Sequence, residues 1–468
     1  MSYYPTERRG GCMESITRCC RQAYLYPVDS RKLLYIVGGV VGVVLVAVVW
    51  LSLSGSTPEP VPQPGSSVLL QAPLIVGSNY FLTNLNDLLH NQVSQLKFDQ
   101  NLKNDSIFGT ESCKSCQTDL WRLKRGFVGS QIWSIDVPCD SQYKDAVALT
   151  LEHIDAIKRL IKQYPSMSLV SSSNELSSVF KKKQLGSILA VTSGHSIDGR
   201  MPVLRSLYDA GVRVMSLVSG CTTPWAKSYN DANDAGLTQF GQKLVMEMNR
   251  LGIVVDLSES SHQTQLDVLN ITKTPVIFSH AAAISLANHT RNIKDEVLDK
   301  LKLNKGLVMV TFAQQYISNE NDNNASISAV IEQINYLKDK VGVAGVGIGA
   351  EFDAQSQTYP SELSDVATFP KLFDQLGNTW SNHDDLKNLA GGNLLRVLQA
   401  VEEYAKASEN LPADEYYMLQ DNSSCYTDYN SRLPTHSENI VKPPAGPVVS
   451  TTIPTSTDWS MPLRPDSH

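Results

Sequence analysis

Along most of the chain, short runs of apolar and β-branched residues alternate with longer amphipathic segments. Residues 187–192 (SILAVT) precede 201–210, residues 212–218 (VRVMSLV) precede 237–251, and residues 253–257 (IVVDL) precede 264–269. Residues 275–280 (PVIFSH) precede 295–303, residues 307–312 (LVMVTF) precede 327–339, and residues 343–348 (VAGVGI) precede a helical run over 384–407. Two earlier runs, 72–76 (APLIV) and 127–135 (FVGSQIWSI), bring the strands to eight. Strands that are apolar throughout have both faces buried, and strand–helix alternation makes a parallel sheet. Eight such units predict an α/β fold, a (β/α)8 TIM-like barrel; a doubly wound open sheet is the competing arrangement.

One segment breaks the alternation. Residues 33–53 (LLYIVGGVVGVVLVAVVWLSL) carry no charge over 21 positions. About 20 helical residues cross a hydrocarbon layer of roughly 30 Å, so this run predicts a single N-terminal transmembrane helix. Its length and late start set it apart from a cleaved signal peptide. Residues 1–32 hold Arg8, Arg9, Arg18, Arg21, Arg31 and Lys32 against Glu7, Glu14 and Asp29. The excess of positive charge beside the span keeps that end in the cytosol and puts the rest of the chain outside, a type II topology. The plasma membrane is the expected location, with a secretory organelle as the other choice.

Glycosylation signals and cysteines divide at the same place. All five N-x-S/T sequons, at Asn104, Asn270, Asn288, Asn324 and Asn422, follow the span. Cys12, Cys19 and Cys20 precede it, where juxtamembrane thiols are either free or acylated. Cys113, Cys116, Cys139, Cys221 and Cys425 follow it, an odd number that leaves one for an intermolecular bridge or a free thiol. Cys113 and Cys116 form a C-x-x-C, which reads as a local disulfide because zinc would need two further ligands. The predicted map is a cytoplasmic tail (1–32), the span (33–53), a Pro/Ser-rich stalk (54–70), the barrel (71–410) and a Pro-rich extension with a mobile tail (411–468).

A net charge of −7, with hydrophobic residues at 42% and charged residues at 19%, adds two exclusions. The chain is not disordered in bulk, and it lacks the clustered cations of a nucleic-acid binder.

Barrel enzymes hold their chemistry at the C-terminal ends of the strands. Those ends read Gly77-Ser78-Asn79-Tyr80, Thr192-Ser193-Gly194-His195, Ser219-Gly220-Cys221, Ser258-Glu259-Ser260, Ser279-His280 and Gly349-Ala350-Glu351-Phe352-Asp353. The chemistry-bearing groups among them are Glu259, His280, Glu351 and Asp353, with His195 a few residues in. One imidazole with two carboxylates is a set that holds a metal in other proteins, but polar groups satisfied at loop starts look the same in sequence.

These residues resemble the membrane dipeptidases, the renal dipeptidase family of binuclear zinc peptidases. The likeness runs from about Pro73 to Cys425. It is carried by residues 125–134 (RGFVGSQIWS), Pro138-Cys139-Asp140 with 144–147 (KDAV), 194–198 (GHSID), 221–226 (CTTPWA), 275–280 (PVIFSH), Arg291-Asn292 and 393–397 (NLLRV). The resemblance implies a TIM-like barrel and, in the family, a water activated between two zinc ions to cleave dipeptides.

Carried over residue by residue, it also implies losses. The family's His-x-Asp zinc ligands on the first strand fall on Ser78 and Tyr80. Its bridging Glu falls on Thr192, and a His near the reaction centre falls on Ser219. One His ligand is replaced by Glu259 and one is kept as His280. The Arg that grips the substrate carboxylate is kept as Arg291, and the strand-eight Asp becomes Glu351. A hydroxyl cannot bridge two dications, and without metal no nucleophilic water forms at neutral pH. The expected protein is therefore a non-catalytic recognition ectodomain without a resident cofactor. The alternative is a dipeptidase with one zinc on Glu259 and His280, with or without Glu351 as a third ligand. Arg291 and Glu351 then either take the two ends of a zwitterionic ligand or pair with each other on the rim. The resemblance further implies a Cys139–Cys221 disulfide and a homodimer linked through Cys425.

Overall fold

The structure, a computed structural model, describes residues 65–319, 325–416 and 418. The cytoplasmic tail, the span, residues 54–64 of the stalk, Cys12, Cys19, Cys20, Asn324, Asn422, Cys425 and residues 419–468 lie outside them. Among the described residues no helix is long and apolar enough to cross a membrane.

Nine strands form one all-parallel sheet: β1 (Leu74–Asn79), β2 (Val128–Ile135), β3 (Met167–Leu169), β4 (Leu185–Val191), β5 (Val212–Ser216), β6 (Val254–Asp256), β7 (Ile277–Ala281), β8 (Leu307–Thr311) and β9 (Val346–Ala350). The order is β2-β1-β9-β8-β7-β6-β5-β4-β3. β2 also pairs with β4, from Ser130↔Gly186 to Ile135↔Val191, and this closes the ring. Eight strands make the barrel, as the alternation predicts, and the open-sheet arrangement is excluded. β3 is the addition. It pairs with the N-terminal half of β4, on the edge that β5 occupies farther along. Sequence analysis misses it because three half-buried residues are too short to show a period.

The strands are apolar because both faces are covered. Their inner face carries Ile75, Ile132, Ile188, Val214, Val254, Ile277, Leu307 and Met309, which cluster with Leu394, Val397, Leu398 and Val401. Those four lie on the helix Asn393–Ala407 at apolar spacings of three and four, so the helix presents one stripe to the barrel. It seals the N-terminal end. Asn393 Nδ2 donates to Val343 O at 2.7 Å and Val346 O at 2.8 Å, just before β9. Arg396 donates to Lys305 O and Ala344 O at 2.7 and 2.9 Å. At Gly391, a Cβ would lie 2.3 Å from Pro73 O, so only glycine lets the chain enter this helix so close to β1.

Two segments outside the barrel are fixed to it. Ser66–Leu70, inside the stretch read as stalk, forms a 3-10 turn with Val68 and Leu69 buried, and Ser66 N donates to Asp374 Oδ1 at 2.8 Å. The packed part of the chain therefore already includes residues 66–70, inside the stretch read as stalk. The loop before β2 carries the Cys113–Cys116 disulfide, with a Cα separation of 5.4 Å. Asp353 ties this loop to the end of β9: it accepts from Gln117 N at 3.2 Å and from the Thr118 hydroxyl. Burial pushes the Asp353 carboxyl up to about 6 despite these donors.

Candidate functional site at the barrel mouth

The sealed floor leaves the C-terminal ends of the strands as the place for a site. Glu259 lies three residues after β6, His280 near the end of β7 and Glu351 immediately after β9. Ligand-type atoms of these three residues lie within 4.8 Å of one another, the only such group of His, Cys, Asp or Glu among the described residues. Glu259, Ala350 and Glu351 have φ of 64°, 58° and 69°, the left-handed region that costs a non-glycine residue about 1 kcal/mol or more. Such strain clusters where backbone must aim a side chain.

His280 is fixed from behind. Asp256 accepts from Ser279 N at 3.0 Å, from Ser258 Oγ at 2.7 Å and from Ser279 Oγ. With its proton given to Asp256, Ser279 Oγ accepts from Ser78 Oγ and from His280 Nδ1, both at 2.8 Å. This assignment leaves Nε2 with its lone pair facing the mouth. There the Tyr80 hydroxyl donates to it at 3.2 Å. Burial, then Glu259 and Glu351, raise the Tyr80 phenol well above its ordinary value, so it stays a neutral donor.

Arg291 enters from the loop after β7. Asn292 Nδ2 pins that loop by donating to Ala287 O and Tyr316 O, each at 2.8 Å. The Arg291 guanidinium then lies 4.0 Å over the Tyr316 ring, a cation–π contact. Its Nη2 is 2.7 Å from Glu351 Oε1 and 3.5 Å from Glu259 Oε1. Glu351 Oε2 accepts from Thr311 Oγ1 at 2.6 Å, and its backbone oxygen accepts from the Tyr359 hydroxyl. Arg291 and Glu351 are both buried. Burial opposes the charge on Arg291, but Glu351 and Glu259 outweigh it and hold the guanidinium protonated. Burial likewise opposes ionisation of Glu259, and the Arg291 guanidinium reverses that, keeping its carboxyl below the usual range. Of the two arrangements open to Arg291 and Glu351 in the sequence, the structure has the ion pair.

The remaining sequence-derived positions fall in three places. Ser78 and Tyr80 join the His280 network just described. Ser219 belongs to the disulfide instead. Its Oγ is 3.3 Å from Cys221 Sγ, and Cys221 is bridged to Cys139 with a Cα separation of 5.7 Å. His195 sits on the same bridge, its Nδ1 3.5 Å from Cys221 Sγ and its Nε2 3.2 Å from Pro138 O. Burial lowers its pKa. Thr192 Oγ1 lies 3.4 Å from Ile135 O and 3.5 Å from Asp136 Oδ1.

Asp136 is a mouth residue that sequence analysis missed. It follows β2, accepts from the Ser193 hydroxyl, and has its carboxyl pushed up to about 6 by burial, with Glu259 adding to the rise. Thr311, Tyr316 and Tyr359 were missed too. A single polar residue ending an apolar run was the available signal for Thr311 and Asp136; nothing local marks the tyrosines.

A closed parallel barrel with its titratable groups gathered at the strand ends defines a TIM-barrel protein. Residues 65–411 match the family described as membrane dipeptidase (peptidase family M19), and the chain belongs to that family. It is 38% identical over 342 residues to Dipeptidase 3 of Mus musculus, covering 72% of this chain and 66% of that protein. It is 36% identical over 416 residues to Dipeptidase 3 of Homo sapiens, covering 83% of this chain and 81% of that one. The chain thus spans just under two thirds of the mouse relative's length. Among solved structures, it resembles a metallo peptidase from Rhodobacter sphaeroides liganded with a phosphinate mimic of L-Ala-D-Ala (TM-score 0.63, 20% identity, 70% of this chain and 99% of that one). It also resembles the dipeptidase AC of family M19 (TM-score 0.63, 22% identity, 70% and 98%). At those identities the likeness is one of fold.

The family is zinc-dependent, so the residues are tested against that ion. By the family resemblance, a zinc pair would take ligands at the end of β1 and a bridging anion at the end of β4. Ser78 is hydrogen-bonded inward to Ser279, Tyr80 is a neutral phenol, and Thr192 offers a hydroxyl. These do not fit a pair. Glu259, His280 and Glu351 match a single ion in ligand type, but Arg291 already bonds both carboxylates and Tyr80 covers the imidazole lone pair.

Proposed function

We propose that this chain is a membrane-anchored member of the membrane dipeptidase family that works by recognition and not by peptide hydrolysis. The observation that carries the reading is the strand-end set: Ser78 bonds inward to Ser279, Tyr80 is a neutral phenol and Thr192 offers a hydroxyl, while Glu351 is paired with Arg291 at 2.7 Å. A buried carboxylate paired in this way is stabilised as it stands, and removing either partner leaves an uncompensated charge. The expected chemistry of the mouth is binding alone, with no water activated at neutral pH.

Several further readings go with it. Residues 33–53 anchor the chain in a type II orientation, with the barrel outside the cell. Asn104, Asn270 and Asn288 are exposed, which suits glycosylation. Cys425 links two copies through a disulfide.

Metal analysis and turnover test the proposal together. After exposure to micromolar zinc, the purified protein is expected to hold fewer than about 0.2 zinc per chain. Dipeptides are expected to survive, with the same background in His280→Ala. A stoichiometric zinc with turnover that disappears in His280→Ala would establish the second reading, a one-zinc dipeptidase. The grouping of Glu259, His280 and Glu351 favours that alternative.

A further inference from the structure

We propose that the floor end of the barrel carries a second binding site, built for a small zwitterion with an apolar side chain: a free apolar amino acid. It uses none of the residues of the mouth, so it is independent of the recognition reading above.

The site is a cavity of about 490 Å3, within the roughly 300–1,000 Å3 of small-molecule pockets. It lies between the helix Asn393–Ala407, the start of β5, the start of the helix Ser173–Lys181 and the end of the helix Gln239–Leu251. Val170, Ile188 and Leu398, all buried, line it together with half-buried Leu251. Lys406 and Glu409 on its wall are exposed, so the apolar interior opens to solvent.

Its charges distinguish it from an ordinary surface crevice. Arg250 is neutralised, with Nε and Nη2 bonded to Glu247 at 2.7 and 2.8 Å. Arg213 is not. Its Nε donates to Ser171 O at 2.9 Å, and its Nη1 donates to Tyr208 O at 2.9 Å and Val212 O at 2.8 Å. The guanidinium also lies 4.1 Å over the Tyr208 ring, a cation–π contact. Backbone oxygens and the ring fix the group in place. Among the described residues its charge has no anion and its Nη2 no acceptor. Half of a planar fork is thus preset for a carboxylate.

Glu402 is its opposite number. One of its oxygens accepts from Ser173 N and the other from Ser173 Oγ, both at 2.6 Å. These neutral donors fix the carboxylate, and no cation pairs with it among the described residues. Each oxygen still has a lone pair to offer, which suits an ammonium. Arg213 and Glu402 do not pair with each other, and both line the same cavity. A bound carboxylate without an ammonium would leave Glu402 unanswered, and an amine without a carboxylate would leave Arg213 so. A ligand with both charges and an apolar body answers every group.

The test titrates the full-length protein with L-phenylalanine and L-leucine by calorimetry. N-acetyl-L-leucine lacks the ammonium, L-leucinamide the carboxylate and glycine the apolar body. The two amino acids are expected to bind with a dissociation constant of about 1 mM or lower, and the other three at least about tenfold more weakly. Arg213→Met and Glu402→Gln are each expected to weaken binding about tenfold or more, the loss of one charge-assisted hydrogen bond. Ala405→Trp keeps both charges and fills the cavity, so it is expected to abolish binding even if the charge variants fail to fold. Bound ligand is expected to slow hydrogen exchange at 171–175 and 250–254 and to leave 280–281 and 351–353 unchanged. No heat at about 10 mM amino acid, equal binding of the three comparison compounds, undiminished binding in Ala405→Trp, or protection at the mouth alone would each overturn the inference.

Discussion

The hydroxyl of Tyr80 donates to Nε2 of His280 across 3.2 Å, joining the end of β1 to the end of β7 over the open mouth of the barrel. Behind His280 the same chain of hydrogen bonds runs through Ser279 to Asp256. A neutral donor at the front and a carboxylate at the back hold the imidazole in one tautomer.

Replacing Tyr80 by Phe uncovers that nitrogen without touching Arg291. The expected cost is about 0.5–1.5 kcal/mol of stability for the lost hydrogen bond, read as a shifted denaturation midpoint. Zinc uptake is expected to stay at the wild-type level, because Ser78 and Thr192 still offer only hydroxyls at the lost ligand positions. Zinc binding in Tyr80→Phe alone would assign the block to the phenol instead.

Asp136 makes stability depend on pH in a definite direction. Its carboxyl titrates at about 6 in the folded chain and at about 3.9 in the unfolded one. Between those values the folded state holds a proton that the unfolded state releases, so stability falls as pH rises through the window and levels off above it. Asp136→Asn removes this titration. The melting temperature of the variant, relative to wild type, is expected to rise from about pH 4.5 to about pH 7.5. A difference that stays constant over that range contradicts the shift.

The Cys139–Cys221 bridge joins the loop after β2 to the loop after β5, 82 residues apart in sequence. Replacing both cysteines by Ala is expected to cost about 2–5 kcal/mol, measured by guanidinium denaturation. His195 and Ser219 lose their packing partner in the same variant, so local hydrogen exchange at 193–197 and 218–222 is expected to quicken.

The proposed placement of the barrel outside the cell has its own signature. In cells that glycosylate, Asn104→Gln, Asn270→Gln and Asn288→Gln are each expected to remove one glycan step on a gel. Cys425→Ser is expected to convert a dimer band to a monomer without reductant. Protein that runs as a monomer before that substitution argues against the interchain bridge.

Much of this architecture was legible in the sequence because parallel strands must be apolar along their whole length. The runs at 187–192, 307–312 and 343–348 overlap β4, β8 and β9. Glu259, His280 and Glu351 could be found as the polar residues that end such runs. What could not be read is who faces whom. Arg291 and Glu351 are 60 residues apart, and only the closed ring brings their loops to 2.7 Å. The same sequence was compatible with a pair of free ligand-binding groups. Asp136 was passed over because one acidic residue before a Val-Pro looks like an ordinary loop start. Its value comes from Ser193 across the strand gap.

The helix Asn393–Ala407 gives the barrel a floor made of the chain's own late residues. Trimming by a protease beyond residue 411 leaves that floor in place. A cut ahead of Leu394 would strip the lid from the eight inner-strand side chains and expose them to water. Processing at the carboxyl side therefore has a hard boundary ahead of Leu394, and every folded form of the barrel must carry that stopper with it.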